Sequence, residues 1–402
     1  MTCTTRGCAA FLTFAAFMSP PVASAADNIE EAFSEGTTYF DFRLRYEGVD
    51  QEGDLDNAEA LTLRSRLGFV TAPVQGISAR IEFEDSRSVF GVDDYSVPAS
   101  GYKPGEYPVV GDPESTEVDQ AYLQYENNGF LARGGRQVIN LDNARFVGDV
   151  GWRQDRQTFD AVSVAWSKDM ISLSYQYLDQ RNRIFADDAD IDSSDHLLHG
   201  AYKIAGFGEL SAYGYLLEDD DLPYDNSIDT YGLRFAGERG GDIKISYELE
   251  YARQDTERGS DDYDADYYLA ALGVKYSLFT VKAGYEVLGS DDGQYGFSTP
   301  LATLHKFNGW ADMFLSTPDE GLTDTYLSIT AAIGPGNLTA TYHDFNADED
   351  SVALDELGSE VDVSYAMKFG KHYQVGLKYA AYNADDYSTD TDKWWLWASA
   401  SF

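Results

Sequence analysis

Arg43 and Arg45, then Arg64 and Arg66, then Arg80 are spaced so that each shares a polar face with its neighbours. Thr38, Phe40, Phe42, Leu44 and Tyr46 alternate with Tyr39, Asp41, Arg43, Arg45 and Glu47. Leu61, Leu63, Leu67 and Phe69 oppose Thr62, Arg64 and Arg66, and Ala79, Ile81 and Phe83 oppose Arg80, Glu82 and Glu84. A guanidinium stays charged and presents a planar fork that fits a carboxylate at two points. Rows of such groups along an aqueous passage lower the barrier for anionic solutes. The competing reading is internal pairing, since Asp41, Glu82 and Glu84 lie on the same faces and can neutralise the arginines.

A second concentration of binding chemistry lies in residues 135–161. It reads GRQVINLDNARFVGDVGWRQDRQTFDA, and it is neither acidic nor low in complexity. Its guanidinium and amide groups can bind hydroxyls and carboxylates. Trp152 offers a ring face on which a pyranose can stack. Folded into a lumen, this segment would make a constriction; packed on a wall, it would only stabilise.

Catalytic chemistry is poorly represented. The five histidines are His196, His199, His305, His343 and His372, and no G-x-S-x-G, H-E-x-x-H or glycine-rich phosphate loop accompanies them. His343 with Asp344 reads as a strand-end pair near an outer rim. The carboxylate runs at 187–195, 218–221, 261–266 and 348–350 offer hard oxygen ligands, but the EF-hand spacing is not met. They read as solvated loops. No catalytic residue, no metal site and no cofactor is expected.

The elements that must carry these residues are strands. Alternation with one apolar face marks a half-buried strand, and it recurs late, at 241–253 and 357–368. Eighteen segments show it, at 37–47, 60–70, 77–87, 116–126, 130–137, 158–166, 170–180, 196–204 and 207–217. The others are 228–237, 241–253, 264–276, 279–287, 323–332, 336–346, 357–368, 372–382 and 392–402. Their connections alternate in length. Long links follow the odd strands, acidic in all cases but the fifth; examples are 88–115, 254–263 and 288–322. Short ones follow the even strands, such as 127–129 and 205–206. Tight turns on one side and long loops on the other are the mark of a transmembrane antiparallel up-and-down β-barrel, all-β, of about 18 strands. A sandwich would not sort its links by parity.

The remaining signals agree. Residues 1–25 read as a cleavable secretory leader, with Arg6, an apolar stretch over 8–18 and the small-residue site Ala23-Ser24-Ala25. Both cysteines, Cys3 and Cys8, fall there, so the remaining chain has no thiolate ligand and no disulfide. Residues 26–402 form one barrel domain, with 26–36 as a lead-in. No stretch holds the roughly 20 apolar residues of a membrane helix. The net charge of −40 argues against nucleic acid as a partner. With 14% aromatic residues the chain is not a disordered acidic one. Trp394, Leu396, Ala398, Ala400 and Phe402 make an apolar face ending in a terminal Phe. That ending suits presentation to the outer-membrane assembly machinery, and Trp394, Trp395 and Trp397 suit an interfacial girdle.

The segment with Gly-Arg-Gln at 135–137, Arg145-Phe146-Val147-Gly148, Trp152-Arg153-Gln154 and Thr158-Phe159-Asp160-Ala161 resembles the signature region of the alginate-export family of bacterial outer-membrane channels. The resemblance implies a monomeric 18-stranded barrel in the outer membrane of a Gram-negative cell, with an arginine-lined anion pathway for a polyuronate. By match to the motif it assigns substrate binding to Arg136, Arg145, Arg153 and Asp160, with Arg43 and Arg45 as additions from the first strand. The expected function is a passive channel for anionic, uronate-containing saccharides, and the expected contacts are outer-membrane lipid and lipopolysaccharide. The alternatives are a general diffusion porin and, behind it, an outer-membrane enzyme or adhesin.

Overall fold

The structure is a computed structural model that describes residues 26–98, 101–351 and 354–402. The expected leader, residues 1–25, lies outside the described residues. Eighteen strands form one antiparallel sheet that closes on itself. They are β1 (Thr37–Gln51), β2 (Ala58–Val70), β3 (Ile77–Asp94), β4 (Ser115–Asn127), β5 (Phe130–Gln137) and β6 (Thr158–Lys168). Next come β7 (Ile171–Asn182), β8 (Ile191–Ile204), β9 (Gly208–Leu217), β10 (Asn226–Gly240), β11 (Ile243–Arg258) and β12 (Asp261–Tyr276). Last are β13 (Phe279–Leu288), β14 (Leu322–Ile333), β15 (Gly336–Asn346), β16 (Glu356–Phe369), β17 (Tyr373–Ala384) and β18 (Thr391–Ser401). Each strand pairs with its sequence neighbours, and β1 closes the ring on β18, Phe42 opposite Ala400 and Tyr46 opposite Leu396.

The alternation sorts inside from outside. Phe42, Leu44, Leu249, Leu272 and Leu396 are exposed on the outer wall, while Arg45, Ser163, Asp195, Gln254 and Glu360 are fully buried on the inner one. This inverts a soluble protein and suits a wall with lipid on one side and a filled, polar lumen on the other. The short connections are tight. Gly129 turns between β4 and β5 at φ +81°, where an added Cβ would meet the Ser167 carbonyl oxygen at 2.2 Å, so only glycine fits.

Two expectations need correction, on the 254–263 link and the C-terminal tryptophans, and the lead-in proves partly helical. The link over 254–263 is strand, not loop: β11 and β12 run on until only Gly259 and Ser260 remain between them. Acidic residues do not end a strand there, because above the bilayer its outer face meets water rather than lipid. The lead-in holds a short helix, Ile29–Ser34, capped by the Asn28 side chain accepting from the Glu31 amide at 3.0 Å. Its Ala32 packs with Ala26, Ala72 and Val74 beneath the first short turn. Trp395 and Trp397 are not girdle residues: they face inward and are buried, and only Trp394 takes the outer parity.

Candidate functional site

Three of the long connections fold into the barrel rather than away from it. The 138–157 segment reaches nearly all the way round the wall. Its Gln154 donates to the Thr62 hydroxyl on β2 at 2.9 Å, Asp142 meets His199 on β8 at 2.9 Å, and Arg145 meets Glu286 on β13 at 2.7 Å. Its apolar residues provide the seat. Phe146 packs on Tyr213 of β9 and Tyr267 of β12 at 5.3 and 5.2 Å between ring centroids. Ile139, Leu141 and Val147 are buried beside them. The connection after β13 lies against the same segment. Val147 and Leu301 form a parallel bridge, and the Gln157 amide donates to the carbonyls of Gly148 and Leu301 at 2.8 and 3.1 Å. The connection after β3 brings Asp112 to Arg45, and the Asp112 carboxylate also accepts the Gln154 amide N–H at 2.9 Å.

The five N-terminal arginines line one inner wall, on β1, β2 and β3. The β1–β2 register sets Arg43 opposite Arg64 and Asp41 opposite Arg66. Four of them are already bonded to the protein itself. Arg43 donates to the Gln154 side chain at 2.9 Å and to the carbonyls of Gly151 and Arg153. Arg45 pairs with Asp112 and donates to the Trp152 carbonyl, its guanidinium 5.0 Å from the Trp152 ring centre. Arg64 pairs with Asp41, and Arg66 with Glu84. Arg80 sits over the rings of Tyr39 and Tyr122 at 5.4 and 5.9 Å. Four buried guanidinium nitrogens nevertheless have no partner: Arg45 Nε, Arg64 Nε, Arg66 Nη2 and Arg80 Nε. Among the described residues no arginine outside this wall has such an atom. A buried N–H left unmade costs about 1–3 kcal/mol, more when charged, so these donors favour an acceptor that reaches them.

The motif residues separate in space. Arg145 is buried, and besides Glu286 it donates to Thr299 at 3.2 Å and Asn308 at 3.1 Å. Arg153 bridges Glu47 at 3.0 Å and Asp312 at 2.7 Å. Both fasten inward loops to the wall. Arg136 and Asp160 do not face the lumen. They form a bidentate pair, at 2.8 and 3.0 Å, on the parity of Gly134 and Val162, which is the outer face. The β5–β6 alternation decides this, because the inward positions beside them belong to Gln137 and Ala161, both buried.

Trp152 belongs to an aromatic cluster that the sequence did not announce. It stacks on His305 at 4.9 Å and meets Trp395 and Trp397 edge-on. The Lys378 ammonium lies 3.9 Å from the Trp152 ring centre and 4.1 Å from that of Trp310, a cation–π pocket filled by the chain itself. Burial, against the pull of Asp312, pushes His305 down to about 3, so its neutral ring bonds Asp312 at 2.7 Å and Lys378 at 2.9 Å. Burial, with Glu117 and Glu84 nearby, pushes Asp155 up to about 10. His343 does not pair with Asp344: near the long-loop end of β15 it faces inward and meets Asp324 at 2.9 Å. Asp112, Glu286, Asn308 and Lys378 were invisible in the sequence, since each joins segments far apart along the chain. Gln154 was legible only as part of the polar loop.

Comparison with known proteins fixes the kinship. The Pseudomonas aeruginosa OccK9 (OpdG) structure matches with a TM-score of 0.72 at 14% identity, covering 93% of this chain and 100% of that one. P. aeruginosa OpdK with vanillate matches at 0.70 and 13%, covering 92% and 99%. Acinetobacter baumannii OccAB4 matches at 0.70 and 13%, covering 91% and 98%. At such identity these likenesses concern the barrel fold. No curated protein matches the sequence. The profile of the Alginate export family matches residues 37–287, which include the first twelve strands, the arginine wall and the inward 138–157 segment. This outer-membrane β-barrel belongs to the alginate export family.

Proposed function

We propose that the barrel is a passive channel for anionic solutes, with uronate-containing saccharides as the favoured class, and that it performs no catalytic step. The observation carrying this reading is the set of unpartnered guanidinium N–H donors on β1, β2 and β3. A carboxylate entering beside them gains charge-assisted hydrogen bonds that water makes more weakly. The surrounding Asp41, Glu84 and Asp112 keep the wall from holding an anion too tightly, and release is as necessary to conduction as entry. The inward loops narrow the passage, which favours short saccharides over a thick polymer.

The test is the reversal potential in planar bilayers under a salt gradient. We expect anion preference in the unaltered protein and a shift toward zero in a variant carrying Arg64→Ala and Arg80→Ala. A cation preference that those substitutions leave in place would overturn the reading. A general diffusion porin is the second reading, favoured by how much of the lumen the loops fill and by the vanillate, a small carboxylate, held in the OpdK structure. Liposome swelling with glucose and glucuronate separates the two: equal rates support the general porin.

A further inference from the structure

Glu84 on β3, Glu117 on β4 and Asp155 in the inward loop bring carboxylate oxygens within 4.8 Å of one another. We propose that they form a calcium site that fastens the returning end of the 138–157 loop to the barrel wall.

A carboxylate cluster alone would not support this, because three such groups in water repel one another and stay hydrated. Here two of them are sealed from water. Glu84 and Asp155 are each 1% exposed, and Glu84 Oε1 and Asp155 Oδ2 have no hydrogen-bond partner. Arg66 takes the other oxygen of Glu84 and is the cation bonded to the group. The neighbouring carboxylates are differently served. Asp119 and Glu82 are held by Arg156, which bonds Asp119 at 2.5 and 3.0 Å and Glu82 at 2.6 Å. The uncompensated charge is therefore local to the three. Burying carboxylates without a counter-charge is costly, and a divalent ion supplies it.

The strand register adds donors. Glu84 pairs with Glu117 across β3 and β4, and Ser86 pairs with Ser115 one step further along the same face. Both serine hydroxyls are buried and without a partner. The strand register thus adds hydroxyl oxygens to the carboxylates, a hard donor set beside the Arg66 guanidinium. Those oxygens come from two strands and a loop with no common geometry. Calcium accepts an irregular shell of six to eight oxygens, whereas magnesium demands a near-regular octahedron. Glu117, half-buried, leaves an entry for the ion.

The consequence is mechanical. Asp155 follows Gln154, which is bonded to Arg43 and Thr62, and precedes Arg156, bonded to Asp119 and Glu82. An ion at Asp155 completes a continuous anchor along 154–156 and fixes how far the loop stands into the lumen.

Calorimetric titration of calcium chloride into the purified barrel in detergent tests this, after chelator treatment and with Asp155→Asn, Glu117→Gln and Ser86→Ala measured beside it. The external carboxylates contribute equally to every variant, so the difference reports the site. We expect one calcium per chain to be lost in Asp155→Asn and Glu117→Gln, and affinity to fall roughly tenfold in Ser86→Ala, a change that leaves the charge intact. A heat-dependent shift in migration on detergent gels confirms folding of each. Unchanged stoichiometry in the two carboxylate variants, as a shared proton in place of an ion would give, overturns the proposal. So does magnesium binding as tightly as calcium.

Discussion

Individual arginines of the inner wall and its inward loops act in two ways. Arg45 and Arg153 serve the architecture: both are buried, Arg45 on β1 holding the loop carboxylate of Asp112, and Arg153 in the loop holding Glu47 of β1 and Asp312. Removing Asp112 would leave Arg45 without its principal counter-charge, at a cost of about 3–5 kcal/mol typical of broken buried pairs. Arg64, Arg66 and Arg80 each keep an unpartnered donor nitrogen, buried on that wall. The residue types and their parity were legible in the sequence, because alternation alone assigns a face. Their partners were not, since the Asp112 and Trp152 contacts of Arg45 come from loops whose path no local pattern fixes. His305 gives a prediction at this scale. Its neighbours are Asp312, Lys378 and Arg153, and burial lowers it from 6.5 to about 3. A released loop would bind a proton between those values that the docked loop refuses. The contribution of His305 to docking is therefore complete above pH 6.5 and is lost as the pH falls toward 3; Asp312, held well below its ordinary 3.8, adds a further loss beneath that value. Acrylamide quenching of Trp152, taken as the difference from a Trp152→Phe variant, should rise on acidification below 6.5. A His305→Gln variant should lose the upper part of that response. Quenching that stays flat down to pH 3 would contradict it.

The elements were read more securely than their connections. Each of the eighteen segments proved to be a strand because the lipid face enforces a period of two wherever the wall crosses the membrane. Outside the membrane that constraint lapses, and β11–β12 continues as an acidic hairpin that looked like loop. The 138–157 segment was legible as unusual, since it carries Ile139, Leu141, Phe146 and Val147 where most of the other long links are dense in carboxylates. A chain in water does not leave four such side chains exposed, and here they pack against β9 and β12. Replacing 141–156 by a short Gly-Ser link should raise single-channel conductance severalfold while the strands still assemble. Conductance equal to that of the parent would mean that another loop sets the narrowest point.

For the molecule as a whole, closure is the decisive event. The Phe402 amide donates to the Phe40 carbonyl at 2.9 Å, the Phe40 amide donates back at 3.1 Å, and the Phe402 ring stacks on His372 at 5.1 Å. An unclosed barrel presents two bare strand edges, which lipid cannot satisfy and which invite pairing with other chains. Deleting Phe402 should therefore slow assembly in cells more than it lowers the stability of barrels already formed. Pulse-chase of the unheated folded band checks this; an unchanged rate of appearance would remove the terminal residue from assembly.

Sequence by itself determined the wall: its strand count, its inward and outward faces, and an arginine-rich polar face, because side-chain direction in a strand depends only on parity. The same parity placed Arg136 and Asp160 on the outer face once the register of β5 was known. Tertiary structure decided everything inside the wall. Three loops meet there through contacts between residues far apart in the chain, and only their packing determines which arginines are locked, which keep a free donor, and which carboxylates are left without a counter-charge.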